Sequence, residues 1–157
     1  MKSLIIFLFI IFLSVSIYFA FSLKKREKIK LNRESAWPEV LDLIISALQS
    51  GASISESLSN LGRVGPNAIK NAFKKFEEDV LSGKKFDDCL TDLKKEFADP
   101  ISDQLFECLY FAAKFGSKNT VKVLRELSEY VSADLALRAE INTRFGWIRN
   151  SANLAAL

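Results

Sequence analysis

The side chains able to do chemistry in this 157-residue chain are few, and histidine is absent altogether. That removes imidazole acid–base catalysis, Ser-His-Asp and Cys-His nucleophiles, and most zinc and haem ligand sets. The acidic groups gather in two places: Glu77-Glu78-Asp79, and Asp87, Asp88 and Asp92. Asp88 and Asp92 stand four residues apart and share a helix face, a spacing at which a divalent ion or a basic partner could bridge them. Charged helix residues mostly face solvent, so Asp87, Asp88 and Asp92 are read as a candidate partner-contact face and not as a metal or acid–base site. Gly83-Lys84-Lys85 and Gly116-Ser117-Lys118 lack the upstream glycine and the downstream hydroxyl of a phosphate-binding loop. Cys89 and Cys108 are 19 residues apart, on or beside apolar stripes of two different helices, which makes them buried free thiols with no disulfide expected. No catalytic, cofactor or metal site is expected, and the chain does not read as an enzyme.

The elements that would position these groups are helical. Apolar residues make up 49% of the chain and charged ones 26%, too apolar for a disordered protein. From Trp37 onward apolar residues recur at helical spacing, and no useful strand-like alternation occurs. A first helix is predicted from Pro38, a good first-turn residue, with Leu41, Ile44, Ile45 and Leu48 inward and Gly51 ending it. Ser53-Ile54-Ser55-Glu56 has the form of a capping box. It opens a second helix with Leu58 and Leu61 inward and Gly62 closing it. Ile69, Phe73, Phe76 and Val80 line a third helix ending at Gly83. Phe86, Leu90, Leu93 and Phe97 line a fourth. Asp99-Pro100 is a cap followed by a first-turn proline; it starts a fifth helix, carrying Ile101, Leu105, Cys108 and Ala112, that ends at Gly116. A sixth begins near Asn119 or Thr120 with Val121, Leu124, Leu127, Val131 and Leu135, and no breaker intervenes before Gly146. Gly51, Gly83 and Gly116 are the expected structural turns. The stretch from Ser50 to Leu58 is echoed from Ser82 to Leu90, a repeated helix stop, tight turn and helix start; any helical hairpin draws on the same few cap residues.

Ahead of this lies Leu4 to Leu23, LIIFLFIIFLSVSIYFAFSL, with no charge. Twenty helical residues rise about 30 Å, the thickness of a bilayer's hydrocarbon layer. A cleaved signal peptide is the rival reading, with Ala20 and Ser22 as small residues near its end. The length of the apolar run and the Lys24-Lys25-Arg26 that follows favour an uncleaved anchor. Lys24, Lys25, Arg26, Lys28, Lys30 and Arg33, offset by Glu27 and Glu34, give a local net charge of +4, whereas the chain as a whole carries +3. The positive balance thus belongs to one short strip beside the apolar run, where it suits anionic headgroups and places the following domain in the cytoplasm. The lysine pairs at 74–75, 84–85 and 94–95 are interleaved with Glu77, Glu78, Asp79, Asp87, Asp88, Asp92 and Glu96, which cancels the field that phosphate binding needs. No nucleic-acid partner is expected.

The resulting expectation is an all-α chain, an N-terminal transmembrane helix followed by an antiparallel six-helix cytoplasmic bundle. Residues 1–23 would be the anchor, 24–36 a basic juxtamembrane linker and 37–145 the bundle. Residues 146–157, small and apolar after Arg149, look like the start of a further membrane segment that this chain does not complete.

The run Trp37-Pro38-Glu39, Leu41-Asp42-Leu43-Ile44-Ile45-Ser46-Ala47-Leu48-Gln49-Ser50-Gly51, Ser53-Ile54 resembles the opening of the type II secretion system F domain. More narrowly it is similar to TadB-like proteins of tight-adherence (Flp) pilus assembly. Leu81-Ser82-Gly83-Lys84-Lys85-Phe86-Asp87, Phe97-Ala98-Asp99-Pro100, Ala112-Ala113-Lys114-Phe115-Gly116 and Leu124-Arg125-Glu126-Leu127 agree in order and spacing. Gly116-Ser117 departs from the glycine pair that often stands there. The resemblance implies a platform protein of the inner (plasma) membrane, amino terminus outside and bundle in the cytoplasm, coupling a secretion ATPase to pilin assembly without catalysis or cofactor. It implies membrane lipid, the ATPase, a second F-domain platform protein and a pilin as partners, in a homo- or hetero-oligomer. A membrane-tethered adaptor or sensor unrelated to secretion is the alternative reading.

Overall fold

The computed structural model describes residues 18, 22, 28–116 and 119–155, with side chains to Arg144. By its internal contacts the chain divides between Glu34 and Ser35. In the first part residues 28–34 are helical, with Ile29 and Leu31 exposed. The apolar run expected to anchor the chain lies outside the described residues apart from Tyr18 and Ser22. Among the described residues no helix is long and apolar enough to cross a membrane.

The second part contains six helices and, among the described residues, no strand. These are α1 Trp37–Gln49, α2 Ile54–Val64, α3 Lys70–Leu81, α4 Phe86–Phe97, α5 Pro100–Phe115 and α6 Thr120–Ala155. Each packs on its neighbour in the chain, and α6 packs back on α1, closing the ring. Connections of a few residues between helices that touch force successive helices to run antiparallel.

Local chemistry sets most helix ends. Ser53 and Glu56 form a complete capping box: the Glu56 amide donates to Ser53 Oγ at 3.2 Å and the Ser53 amide to Glu56 Oε2 at 2.8 Å. The buried Asp99 carboxylate accepts from the Ile101 and Ser102 amides at 3.0 and 2.9 Å, starting α5 at Pro100. Gly51, Gly83 and Gly116 have φ of 93°, 86° and 103°, left-handed backbone that glycine adopts without steric cost. Because the helices alternate in direction, these three turns lie at one end of the bundle.

The other end is aromatic. Trp37 from the start of α1, Phe73 from α3, Phe97 from the end of α4 and Phe106 from α5 pack with ring centroids 5.0–6.4 Å apart. The two Trp37 pairs are edge-to-face and the Phe pairs tilted; aromatic pairs in favourable geometry contribute about 0.5–1.5 kcal/mol each beyond the area they bury. Trp37, fully buried, therefore belongs to the core as well as to the helix start.

Gly62 corrects the expectation that it closes the second helix. It is buried inside α2, which continues to Val64 and is capped by the Gly65 amide on the Leu61 carbonyl at 3.0 Å. A Cβ at Gly62 would lie 3.0 Å from the Lys74 backbone nitrogen and 3.1 Å from its Cα. Here the missing side chain lets α2 and α3 touch backbone to backbone. A second departure is Ala98, left-handed at φ 49° between α4 and α5 without being glycine.

α6 is far longer than the rest, at 36 residues. Leu124, Ser128 and Val131 are buried in the bundle, and Ser128 Oγ donates to Asp42 Oδ1 on α1 at 3.2 Å. Beyond Leu135 every described side chain, from Ala136 to Arg144, is exposed. Since α6 starts at the glycine-turn end, this exposed stretch extends past the aromatic end, the end at which Trp37 enters the bundle.

Candidate interaction surfaces

The acidic residues of α4 part company in three dimensions. Asp92 Oδ2 accepts from Lys84 Nζ at 2.5 Å, and the same ammonium donates to Asp79 Oδ2 at 3.2 Å. Lys95 adds a looser contact to Asp92 at 3.7 Å. Lys84, in the turn between α3 and α4, thus clamps the last turn of α3 to α4. The bond to Asp92, then that to Asp79, raises the Lys84 pKa above the usual lysine range. The bond from Lys84 holds the Asp92 carboxyl below the usual aspartate range. Asp92 is therefore engaged within the fold, whereas Asp87 and Asp88 stay exposed in the first turn of α4, where carboxylates suit the positive end of the helix dipole.

Asp87 edges a groove between α4 and α5 floored by Leu90 and Phe106, with Thr91, Lys94 and Tyr110 on its walls. Lys94 is paired with Glu107 across that groove. At the glycine-turn end Ile54, Val80, Lys84, Phe86 and Ala113 line a second, more open depression.

Among the described residues no group of three or more His, Cys, Asp or Glu side chains comes together to hold a metal. Cys89 is buried and its thiol pKa is raised chiefly by desolvation; Cys108 is half-buried and shifted the same way by the same cause. Both are protonated at neutral pH, which disfavours thiolate chemistry.

Sequence reasoning missed the surface feature that extends furthest. Of the large apolar side chains exposed between Ser35 and Arg144, only Val64 and Leu81 lie away from the last two helices. The rest are Phe111 and Phe115 on α5 and Val123, Tyr130, Leu137 and Ile141 on α6. The stripe expected to face inward on α6, Val121, Leu124, Leu127, Val131 and Leu135, is the one packed in or against the core, whereas the exposed set beside it was not singled out.

Residues 37–155 thus form a closed ring of six helices whose exposed large apolar side chains, among the described residues, lie mostly on α5 and α6. The chain belongs to the type II secretion system protein F family, whose model matches residues 40–157. Members of that family are non-catalytic platform proteins of the inner membrane in secretion and pilus systems. No curated protein and no solved structure matched the chain.

Proposed function

We propose that the chain is a TadB-like platform protein of a tight-adherence (Flp) pilus or type II secretion machine, coupling a cytoplasmic ATPase to pilin assembly with no catalysis of its own. The family match over residues 40–157 carries this reading. Residues 1–23 anchor it in the inner membrane with the amino terminus outside, and residues 24–36 rest their positive charge against anionic headgroups. Residues 37–145 form the cytoplasmic bundle, and residues 146–157 lead toward a further membrane segment. Gly51, Gly83 and Gly116 fix the turn end, opposite the entry of the chain, and Asp87 and Asp88 start α4 there. They offer a basic surface of the ATPase an acidic edge, with Asp92 held back by Lys84. A second F-domain platform protein and the pilin complete the assembly.

The reading is tested by deleting the gene and complementing it with the wild type and with Asp87→Lys/Asp88→Lys. Loss of surface pili on deletion, restored by the wild type only, is expected, together with loss of ATPase co-purification in the charge-reversed variant. A reporter inserted between residues 37 and 140 should report the cytoplasm. A periplasmic reporter signal refutes the topology. Intact pili with a lost regulatory response transfer the chain to the tethered adaptor or sensor class.

A further inference from the structure

We propose that the exposed end of α6, from Ala136 to Arg144, docks on an anionic phospholipid surface, with Leu137 and Ile141 entering it and Arg138 and Arg144 on the lipid phosphates. This deepens the platform reading by naming a further contact with the membrane, and rests on that reading for the membrane itself.

Charge is laid out along the chain to suit such a contact. Residues 37–135 hold sixteen acidic and twelve basic side chains, a net charge of −4. From Ala136 to the last residue the balance reverses: Arg138, Arg144 and Arg149 stand against Glu140 alone, a net charge of +2. The strip ahead of the bundle, at +4, is basic as well. An anionic surface thus repels the body of the bundle and attracts both of its flanks. Since α6 leaves the bundle at the end where Trp37 enters, the proposed topology points its exposed stretch at the membrane.

The stretch has the geometry of a helix lying in an interface. Leu137 and Ile141 stand one turn apart on a single face, 56% and 43% exposed. Arg138 comes three residues before Ile141 and Arg144 three residues after it, so at 3.6 residues per turn they border the apolar face on opposite sides. Ala136, Ala139 and Thr143 form the back of the helix, where the Thr143 hydroxyl donates to the Ala139 carbonyl at 2.9 Å. The sequence repeats the apolar spacing with Phe145 and Ile148. An apolar face rimmed by long cationic side chains is what seats an amphipathic helix at headgroup level.

Arg138 meets Asp134 at 2.8 Å and Arg144 meets Glu140 at 2.6 Å, pairs within α6 whose arginines are mostly exposed. Exposed pairs of this kind contribute little in water. The guanidinium carries five N–H donors in a fork that matches phosphate, so a lipid phosphate can join or displace the carboxylate. A protein helix covering the same face would have to bring its own acidic flanks, whereas the anionic bilayer already lies on that side of the bundle. Over about 12 Å the contact is small, and the membrane anchor sustains it by holding α6 at the surface.

The experiment is lipid quenching of the full chain reconstituted in vesicles of equal parts phosphatidylcholine and phosphatidylglycerol, in a Cys108→Ser background. An environment-sensitive dye is attached at Ile141→Cys or, on the opposite face, at Ala139→Cys. Brominated lipid is expected to quench the dye at Ile141→Cys and to leave that at Ala139→Cys nearly untouched. The quenching at Ile141→Cys should fall when phosphatidylcholine replaces the phosphatidylglycerol. Adding Arg138→Gln/Arg144→Gln should lower the ratio of docked to undocked segment by roughly fivefold or more, since one basic residue near an anionic surface is worth about that factor. Circular dichroism should show the helix content of that variant unchanged, which separates lost docking from lost fold. Equal quenching on both faces means an immersed helix and overturns the docking. A dye at Ile141→Cys shielded from water but untouched by brominated lipid means a protein cover and overturns it too, as does quenching indifferent to phosphatidylglycerol or to the arginines, or quenching at neither site. A chain that does not float with the vesicles sinks the anchored reading together with the docking; one that floats with an unquenched Ile141→Cys dye sinks the docking alone.

Discussion

Replacing Gly62 with alanine sets two known quantities against each other. In an ordinary exposed helix the change stabilises by about 0.8–1 kcal/mol, because alanine gives up less backbone freedom. At Gly62 the new methyl would stand 3.0–3.1 Å from the backbone nitrogen, Cα and Cγ of Lys74. Carbon atoms in comfortable contact are about 3.5–4.0 Å apart, so α2 and α3 must separate by roughly half an ångström. Two of the three crowded atoms are backbone and cannot rotate away. Overpacking of this kind costs about 1–3 kcal/mol, which leaves a net loss of about 1 kcal/mol, or roughly 2–4 °C for a domain of this size. Gly62→Val should lose more, since its branched side chain adds bulk at the same place. The assay is denaturant unfolding of the detergent-solubilised chain, followed by Trp37 emission in a Trp147→Phe background. Trp37 is fully buried against Phe97 and Phe106, so its emission shifts on unfolding. A Gly62→Ala variant more stable by the helix-propensity increment would refute the close-approach reasoning.

Two further outcomes follow from the backbone and the charges. Ala98→Gly should stabilise by about 0.5–1 kcal/mol, because relief of a left-handed alanine at φ 49°, about 1–2 kcal/mol, exceeds the added freedom of the unfolded glycine; a lower denaturation midpoint would contradict this. The Lys84 clamp should give a two-sided pH dependence. Asp92, depressed by Lys84, contributes stability that is present above its unfolded pKa, near 4, and is lost as pH falls through the folded value. Lys84, raised by Asp92 and Asp79, contributes stability present below its unfolded pKa, near 10, and lost as pH rises through the folded value. Lys84→Met should flatten the difference at both extremes relative to the wild type; curves that stay parallel at both ends would show that the clamp has no thermodynamic weight.

What the sequence determined by itself was the set of helices and most of their ends. Ser53 with Glu56, Asp99 before Pro100, and the glycines at 51, 83 and 116 act over one turn of chain, and interactions that local are written in neighbouring residue types. Core positions such as Leu41, Leu61, Phe73, Leu90, Phe97 and Leu105 were legible for the same reason, since helical periodicity marks a buried face before the partner is known; Trp37, Phe106 and Leu109, fully buried, lay outside the expected stripes, and Cys108, expected to be buried, is half-buried. Tertiary structure alone decided the rest. Gly62 looked like a stop because a glycine near a helix end usually is one; only the approach of Lys74 from α3 makes it a packing residue. Asp92 looked like part of an open acidic face until the fold brought Lys84 against it. On α6 the stripe through Leu124 and Val131 was legible as the buried one, and only the fold shows that every described side chain past Leu135 stays exposed. These outcomes depend on contacts between residues distant in sequence or on different elements, and a linear spacing carries no record of which element will arrive.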